Sequence, residues 1–380
     1  MAERVLVVSS RFPWPVITGD RIRALAWLEA LAPRSEVTLV APPGPVAVGA
    51  PAFRAIAARR SAAALAGSLG RTLAAGLPAT ALLAAGRAWA EALARAEREG
   101  GPFDAAVVLL ARLDPWVYPH LRARRLVFDA IDSLAANLGA RAAAARGPAR
   151  RLWAVEARRT ARLEADAARR YARVVVVAEA ERAAFGDRAS AVFHGVAVQP
   201  AAAGPRDVDV AFWGRLAYFA NRDAARLLLD EVWPRVRAAR PGATLAIAGA
   251  DAPGFVRRAH GRDGVTVVSP MADRAALLRR VRVALLPLRY GSGQSNKVLE
   301  AGEASCALVA TPEAVRGLDA LAREVDPARD AGGLAQRVVA LLADPAACAE
   351  SGRRLRAVVE REYSRERACE RLAALVLGTQ

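Results

Sequence analysis

The chain is almost without lysine. Of its 55 basic residues only Lys297 is a lysine, and the other 54 are arginines. A planar guanidinium and a compact ammonium bind their partners with different geometry, so a single retained lysine indicates a position where arginine does not fit. Residues 287–301, which surround Lys297, are therefore the first candidate for a functional site.

Cysteine, histidine and long apolar runs are also scarce. The three cysteines, Cys306, Cys348 and Cys369, form no CxxC pair, so neither a disulfide framework nor a structural zinc site is indicated, and we expect free thiols. No run approaches the ~18–20 uncharged apolar residues of a membrane span. The first residues enter a strand without the apolar region of a signal peptide, so we expect a cytoplasmic protein.

Positive charge, in contrast, is abundant. A net charge of +17 is typical either of a solvated, arginine-rich surface or of a protein with an anionic partner, which would be a nucleotide substrate, an anionic membrane surface or nucleic acid. The arginines alternate with acidic residues and no recognition motif is present, so we expect no nucleic-acid partner. Residues 52–99 are basic and weakly amphipathic, which favours either contact with the inner face of a membrane or packing on a sheet.

The 380 residues exceed one ordinary core, and the hydrophobic pattern predicts two doubly wound α/β domains. We place the first domain at 1–198 and the second at 199–361, with a C-terminal helix at about 362–380 packing back on the first. Helices are predicted at 21–31, through most of 52–99 and over 141–173. Strands are predicted at 5–9, 36–41, 105–110, 126–129, 173–177 and 191–193, and, after a linker at 199–206, at 208–213, 244–248, 265–268, 283–286 and 308–310.

The candidate segment has the order strand, glycine loop, helix. Ser295 and Asn296 are suited to cap a helix whose first turn contains Lys297. A cation in the first turn is unfavourable unless an anion binds there, and Glu300, three residues further, would accept hydrogen bonds from sugar hydroxyls. The alternative is a capped helix with an exposed Lys297–Glu300 pair, worth only ~0.2–0.5 kcal/mol.

Two strand ends of the first domain carry polar residues. Gly19, Asp20 and Arg23 follow the first strand, and ligands in such sheets gather at the carboxyl ends of strands. The alternative for Gly19 and Asp20 is a turn with a helix N-cap. Asp132 ends a later strand, where a catalytic carboxylate and a helix cap are equally good interpretations.

Four segments resemble the GT-B glycosyltransferases, in particular the retaining family-4 sugar transferases associated with exopolysaccharide systems. They are Phe12-Pro-x-Pro-x-x-x-Gly-Asp-x-Ile-Arg23, Gly214-Arg-Leu-Ala-Tyr-x-x-Asn-x-Asp-Ala224, Pro287-Leu-Arg through Gly293-x-x-Asn-Lys-Val-Leu-Glu-Ala301, and Ala310-Thr-Pro-Glu-Ala-x-x-Gly-Leu-Asp319. The likeness covers nearly the whole chain. It implies two Rossmann-like domains facing a central cleft, with a nucleotide-sugar donor held by the second domain and a carbohydrate or lipid-linked acceptor held by the first.

The resemblance also implies roles for individual residues. Arg215 and Lys297 would hold the diphosphate of a UDP- or GDP-sugar, Glu300 the ribose, and Met271 would flank the base. The acceptor side would contain Asp20, Arg23 and Asp132. The remaining donor-binding residues would be Gly19, Gly214, Gly291, Ser292, Gly293, Ser295, Asn296 and Val298.

The implied activity is that of a metal-independent, retaining hexosyltransferase without a cofactor, working in cell-surface polysaccharide or glycoconjugate assembly. The sequence departs from the family pattern where Ser292 replaces the first glutamate of the donor motif, and where Ala220 stands in the region that often carries a lysine after Arg215. Two other functions stay open. One is a nucleotide-sugar 2-epimerase of the same architecture, and the other is a non-enzymatic basic protein that binds RNA or a membrane.

Overall fold

The computed structural model describes residues 2–59, 68, 70, 72, 74–82, 84, 86–200, 204–290 and 295–377. The chain divides into two compact units. The first contains residues 1–195 and 365–380, and the second contains residues 196–364. The division between the units falls after Gly195, whereas the sequence pattern places it after residue 198.

A seven-stranded parallel sheet forms the centre of the first unit. Its central strands are continuous apolar runs such as Val5–Val8, which is expected where helices cover both faces of a parallel sheet. The spatial order is β3-β2-β1-β4-β5-β6-β7. The strands are β1 (Glu3–Val8), β2 (Ser35–Ala41), β3 (Arg54–Ala57), β4 (Phe103–Leu109), β5 (Ala123–Ile131), β6 (Arg173–Val176) and β7 (Ala189–Ala191).

Helices pack on both faces of this sheet. Trp27 of the first helix and Leu372 of the last share one core, while Trp89 and Leu163 belong to the core of the opposite face. The helices are α1 (Gly19–Leu31), α2 (Ala79–Leu82), α3 (Ala88–Gly100), α4 (Asp114–Val117), α5 (Leu134–Ala144), α6 (Pro148–Arg170) and, from the C-terminus, α15 (Arg365–Val376). Short 3-10 turns lie at Ala111–Leu113, Tyr118–His120 and Glu179–Ala184.

Two helix predictions in the first unit need correction. The segment predicted as mostly helical from residue 52 begins with strand β3, which pairs in parallel with β2 at the sheet edge and buries only Ile56. An edge strand with one buried side chain leaves little strand signal in an alanine-rich sequence. The predicted helix over 141–173 is two helices, because Gly147 takes a positive φ of 61° and Pro148 begins α6.

The second unit contains a five-stranded parallel sheet in the order β10-β9-β8-β11-β12. Both units are Rossmann-like α/β domains, so the predicted fold class is confirmed. The strands are β8 (Val208–Trp213), β9 (Leu245–Ala248), β10 (Val265–Val268), β11 (Val281–Leu286) and β12 (Ala307–Ala310). The helices are α7 (Phe219–Leu227), α8 (Trp233–Ala239), α9 (Gly254–Ala259), α10 (Arg274–Arg279), α11 (Asn296–Glu303), α12 (Asp319–Ala322), α13 (Ala331–Ala343) and α14 (Pro345–Glu362), with a π-helical turn at Leu228–Val232.

No helix within the described ranges is long and apolar enough to cross a membrane.

Candidate functional site

The strand order of the second unit creates a switch point. The chain runs outward from β8 through β9 to β10, and then returns to the other side of β8 with β11. Ligands of doubly wound sheets bind outside the carboxyl ends of the strands at such a point. Gly214 and Arg215 follow β8 directly, and the helix containing Lys297 follows β11, so both predicted catalytic residues come from the strands beside the switch point.

Two glycines allow the loops after β8 and β9 to touch. Gly214 and Gly249 have φ angles of +138° and +149°, a region that side-chain-bearing residues rarely adopt. A Cβ atom on Gly249 would lie 1.7 Å from the carbonyl oxygen of Gly214. The two backbones are therefore in direct contact, and a side chain at Gly249 would displace the loop that contains Gly214.

Lys297 lies across Gly214. A Cβ atom on Gly214 would stand 2.9 Å from Lys297 Cε and 3.3 Å from its Nζ. Burial lowers the pKa of the Lys297 ammonium, and the nearby Glu300 carboxylate opposes that shift. Among the described residues Lys297 Nζ forms no hydrogen bond or ion pair. Its positive charge is thus held in a partly desolvated position next to the backbone of Gly214, which has no side chain.

Glu300 is oriented from two other elements. Trp213 Nε1, at the end of β8, donates a hydrogen bond of 2.7 Å to Glu300 Oε2, and Arg274 Nη1, at the start of α10, lies 3.3 Å from Oε1. Burial raises the pKa of Glu300, against the opposing effect of Arg274, the Trp213 hydrogen bond and Lys297. Because the side chain is only 16% exposed, the alternative of an exposed Lys297–Glu300 surface pair does not match the structure.

The loop after β8 is anchored by Asn221. Asn221 is buried and its Nδ2 donates to the carbonyl oxygen of Arg215 at 2.9 Å. The Arg215 side chain itself is 72% exposed and its Nε lies 2.8 Å from Asp251 Oδ2. The backbone of Arg215 is therefore fixed, while its guanidinium lies in solvent within an exposed ion pair.

A second pair of contacts connects α7 to the segment that precedes the glycine loop. Arg289 donates two hydrogen bonds, of 2.9 and 2.6 Å, to the two carboxylate oxygens of Asp223. The rings of Phe219 and Tyr290 lie 6.0 Å apart. These contacts hold the chain entering the glycine loop next to the helix that follows Gly214 and Arg215.

The other predicted donor-binding residues have different placements. Ser295 is the N-cap of α11 but makes no capping hydrogen bond through its side chain, and Asn296 is half-buried. Met271 is half-buried in the turn between β10 and α10. Val298 needs correction, because its side chain is fully buried in the core and is not available to a ligand. Predicted donor-binding residues Gly291, Ser292 and Gly293 lie outside the described residues.

In the first unit, Asp20 is held by three side chains. Its Oδ1 accepts a hydrogen bond of 2.5 Å from Thr18 Oγ1, and its Oδ2 lies 3.2 Å from Arg112 Nη2 and 3.3 Å from Arg11 Nε. Thr18, and not Gly19 or Asp20, is the N-cap of α1. A Cβ atom on Gly19 would meet nothing within 4 Å, so no packing contact requires glycine there.

Arg23 does not face the carboxyl edge as predicted. Its side chain is completely buried, and its Nε donates to Asp129 Oδ2 at 2.5 Å. Trp27 Nε1 donates to the same oxygen at 2.6 Å, and Arg23 Nη1 donates to the Val192 carbonyl at 2.7 Å. Arg23 therefore ties α1 to β5 and to the chain after β7, which corrects its assignment to the acceptor side.

Asp132 lies at the end of β5, beside other carboxylates. Burial raises its pKa to about 6, Glu181 adds to the shift, and Asp20 contributes in the same direction. Asn137 Nδ2 donates to Asp132 Oδ2 at 3.2 Å. Burial likewise raises the pKa of Glu164 to about 7, although Glu164 accepts a 2.9 Å hydrogen bond from Ser133 Oγ.

Two residues at the carboxyl ends of β4 and β5 have unusual backbone angles. Leu110, just after β4, and Ile131, at the end of β5, have positive φ angles of 72° and 68°. Side-chain-bearing residues adopt this conformation only when the surrounding structure enforces it, and such residues cluster at functional sites. Asp132 follows directly on Ile131, so a strained backbone orients the carboxylate.

Several residues that contact the candidate-site residues or their neighbours were not predicted from the sequence. They are Trp213, Gly249, Arg274, Arg112 and Glu164. Each comes from a different strand end or helix from the residue that it contacts, so no local spacing connects the two. Only Gly249 left a signal, since a glycine directly after a buried strand is common where backbones approach closely.

Comparison with known proteins gives one family match, which covers part of the chain. Residues 207–344 match the family profile described as Glycosyl transferases group 1. This segment lies wholly within the second unit and includes Gly214, Lys297 and Glu300. No curated protein matches the chain significantly.

Solved structures of similar fold cover nearly the whole chain. A sucrose-phosphate synthase from Thermosynechococcus elongatus has a TM-score of 0.71 at 15% identity, with 98% of each chain covered. Anabaena Alr3699/HepE in complex with UDP has a TM-score of 0.67 at 13% identity, covering 98% of this chain and 99% of that one. The chain has the fold of the GT-B glycosyltransferases. A third GT-B structure, WaaG, a glycosyltransferase involved in lipopolysaccharide biosynthesis, has a TM-score of 0.61 at 15% identity, covering 98% of this chain and 100% of that one.

Proposed function

We propose that the protein is a glycosyltransferase that moves a sugar from a nucleotide-sugar donor to an acceptor. The observation that carries this proposal is the Lys297 ammonium lying across Gly214 beside Glu300, at the switch point of the second sheet. These residues belong to the segment that matches the group 1 glycosyl transferase profile. The second unit would therefore bind the donor.

The chemistry requires little beyond charge stabilisation. When the sugar leaves its nucleoside diphosphate, negative charge develops on the β-phosphate, and a preorganised cation there lowers the barrier. Lys297 is fixed on the first turn of α11 and its pKa is lowered by burial. An incoming diphosphate could pair directly with this ammonium, which forms no ion pair or hydrogen bond with the described residues.

The remaining residues would position the donor. Glu300, already oriented by Trp213 and Arg274, would accept hydrogen bonds from the ribose hydroxyls. Gly214 would allow the diphosphate close to the backbone. Arg215 would turn from Asp251 to the diphosphate, which its exposed side chain permits.

Finer features of the reaction belong to the same proposal. UDP is the favoured nucleotide, because the similar Anabaena protein forms complexes with UDP and with UDP-glucose, and a GDP-sugar is the second choice. We propose retention of configuration as in family 4, and transfer without a metal ion because Lys297 and Arg215 would supply the countercharge.

We propose that the first unit binds a carbohydrate or lipid-linked acceptor and that the reaction serves cell-surface polysaccharide assembly at the inner face of the membrane. Asp132, with its raised pKa, and Asp20, held by Arg11 and Arg112, are the acceptor-side residues. Arg23 is left out of this set, because its guanidinium is buried against Asp129.

A release assay tests the donor assignment. The protein would be incubated, in excess chelator, with UDP-, GDP-, TDP- and CDP-sugars, and free nucleoside diphosphate would be measured. We expect slow hydrolysis of one donor class, and none in a Lys297→Ala variant. Consumption of the nucleotide sugar without release of nucleoside diphosphate would instead indicate a 2-epimerase. Activity that needs added metal would contradict the metal-independent mechanism, and no binding of any nucleotide sugar would contradict the proposal as a whole.

A further inference from the structure

The outward face of α6 in the first unit has an unusual distribution of charge. Arg151, Arg158 and Arg162 are all exposed, and their spacing of seven and four residues places them on one face of the helix. We call these three residues the arginine stripe. Buried Thr160, together with Leu163 and Ala167 of the core, occupies the opposite face.

The stripe has no acidic partner. None of its three arginines forms an ion pair or a side-chain hydrogen bond with any residue that the structure describes. The acidic residues of α6 are occupied elsewhere, since Glu156 and Glu164 are buried and Asp166 pairs with Arg169. The positive charge of the stripe is therefore not neutralised within α6.

Helix α14 of the second unit provides an internal comparison. It is also arginine-rich, but each of its four arginines, at positions 353, 354, 356 and 361, forms an ion pair with a glutamate. The arginines of α14 are therefore paired with glutamates, whereas those of the arginine stripe have no acidic partner among the described residues.

Two aliphatic side chains near the stripe are exposed to solvent. Leu152 is 66% exposed and Val155 is 36% exposed, whereas Leu163 of the same helix is buried against the core. Trp153 is half-buried and carries the Arg141 guanidinium 4.6 Å above its ring. Aliphatic groups flanked by arginines favour the boundary between lipid headgroups and acyl chains, whereas single-stranded RNA is held by exposed aromatic rings that stack on bases.

We propose that the arginine stripe, with Leu152 and Val155, is the surface by which the protein binds an anionic lipid bilayer. Arg151 and Arg162 are eleven residue steps apart, or about 17 Å at ~1.5 Å per residue, so the three charges of the stripe can reach one flat surface together. The inference rests on the proposed work at the membrane but not on glycosyl transfer. It places the membrane contact on α6 and not on residues 52–99, for which the sequence left membrane contact and packing on a sheet as alternatives.

Vesicle sedimentation at low salt tests the surface. The vesicles would contain equal parts of phosphatidylglycerol and phosphatidylcholine, with pure phosphatidylcholine as the neutral reference. Because each arginine near an anionic surface contributes roughly fivefold in affinity, the variant Arg151→Gln/Arg158→Gln/Arg162→Gln should bind the anionic vesicles about 10²-fold more weakly. A Leu152→Ser/Val155→Ser variant should keep the salt dependence of binding but lose affinity.

The matched control removes the same charge from α14. Arg353→Gln/Arg354→Gln/Arg361→Gln should bind anionic vesicles as the unmodified protein does. Equal losses in the two triple variants would overturn the proposal, because net charge and not the stripe would then determine binding. It would also be overturned if the unmodified protein bound neither kind of vesicle, or if the stripe variant lost only binding to a single-stranded RNA. Donor hydrolysis should be the same in both triple variants, so failure of the membrane surface is distinguishable from failure of the enzyme assignment.

Discussion

The side chain of Lys297 occupies the space that a side chain on residue 214 would need. A Cβ atom on Gly214 would lie 2.9 Å from Lys297 Cε, and it would also lie 2.9 Å from Asn221 Nδ2. The lysine can lie over the end of β8 only because residue 214 has no side chain. The ammonium position therefore depends on two segments that are more than eighty residues apart in the sequence.

Replacing Lys297 is the direct test of its role. If Lys297 stabilises the leaving β-phosphate, Lys297→Ala should lower kcat by about 10²–10³-fold, the usual cost of losing one preorganised donor. Lys297→Arg should restore only part of the rate, because the guanidinium is larger and planar. The assay is steady-state donor hydrolysis together with a denaturant unfolding curve. A Lys297→Ala protein that folds normally and keeps its rate within about threefold would contradict the diphosphate role.

The single lysine permits a chemical test without mutation. An amine-selective acylating reagent can modify only Lys297 and the α-amino group. Burial lowers the pKa of Lys297, so a larger fraction of its amine is unprotonated and nucleophilic at mildly alkaline pH. We expect UDP to protect Lys297 from modification while leaving the α-amino group reactive, measured by peptide mass spectrometry. Equal protection of both amines, or of neither, would show that UDP does not bind at Lys297.

The sequence predicted the second unit more accurately than the first because its signals are local. Strand β11 is apolar apart from the exposed Arg282, Ser295 precedes an amphipathic helix, and Lys297 and Glu300 are three residues apart on it. Trp213 of β8 and Arg274 of α10 contact Glu300 in the candidate site. No local pattern indicates which strand end will reach Glu300, so these two residues could not be predicted.

In the first unit, the orientation of the Arg23 side chain could not be predicted from the sequence. Its position after the first strand and within a helical pattern is compatible with either face of α1. The deciding partner, Asp129, is 106 residues away in the sequence. Strand β3 was missed for a similar reason, since its pairing with β2 at the sheet edge determines its conformation more than its alanine-rich sequence does.

The raised pKa of Glu164 predicts a pH dependence of stability. Its pKa is about 7 in the folded protein against an ordinary value of 4.5, mainly because of burial. The folded state therefore binds more protons than the unfolded state between these values, and the free energy of unfolding should fall as pH rises from about 4.5 to 7. At ~1.4 kcal/mol per pKa unit, the shift from 4.5 to about 7 makes the loss on the order of 3–4 kcal/mol.

Denaturant unfolding at a series of pH values measures this loss. Glu164→Gln imitates the protonated carboxyl group and should remove a large part of the decline. A smaller decline should remain, because the pKa of Asp132, raised to about 6, falls within the same pH range. Glu91→Gln, an exposed position on α3, is the matched control and should leave the curve unchanged. An unaltered pH profile in Glu164→Gln would contradict the assignment.

Coupling between Gly214 and Lys297 can be measured directly by a double-mutant cycle. Gly214→Ala introduces a Cβ atom that forces Lys297 and Asn221 to move, so it should lower kcat even though residue 214 contributes no reacting group. In a Lys297→Ala background the displaced ammonium is already absent, so Gly214→Ala should lower kcat less than it does in the unmodified protein. Residues in contact commonly show coupling of ~0.5–3 kcal/mol. Gly261→Ala is the matched control, because Gly261 also has a positive φ, of 77°, but has nothing within 4 Å of an added Cβ atom. It should show the cost of an alanine at a positive φ without an effect on kcat, whereas additive effects of Gly214→Ala and Lys297→Ala would show that Gly214 does not act by positioning the lysine.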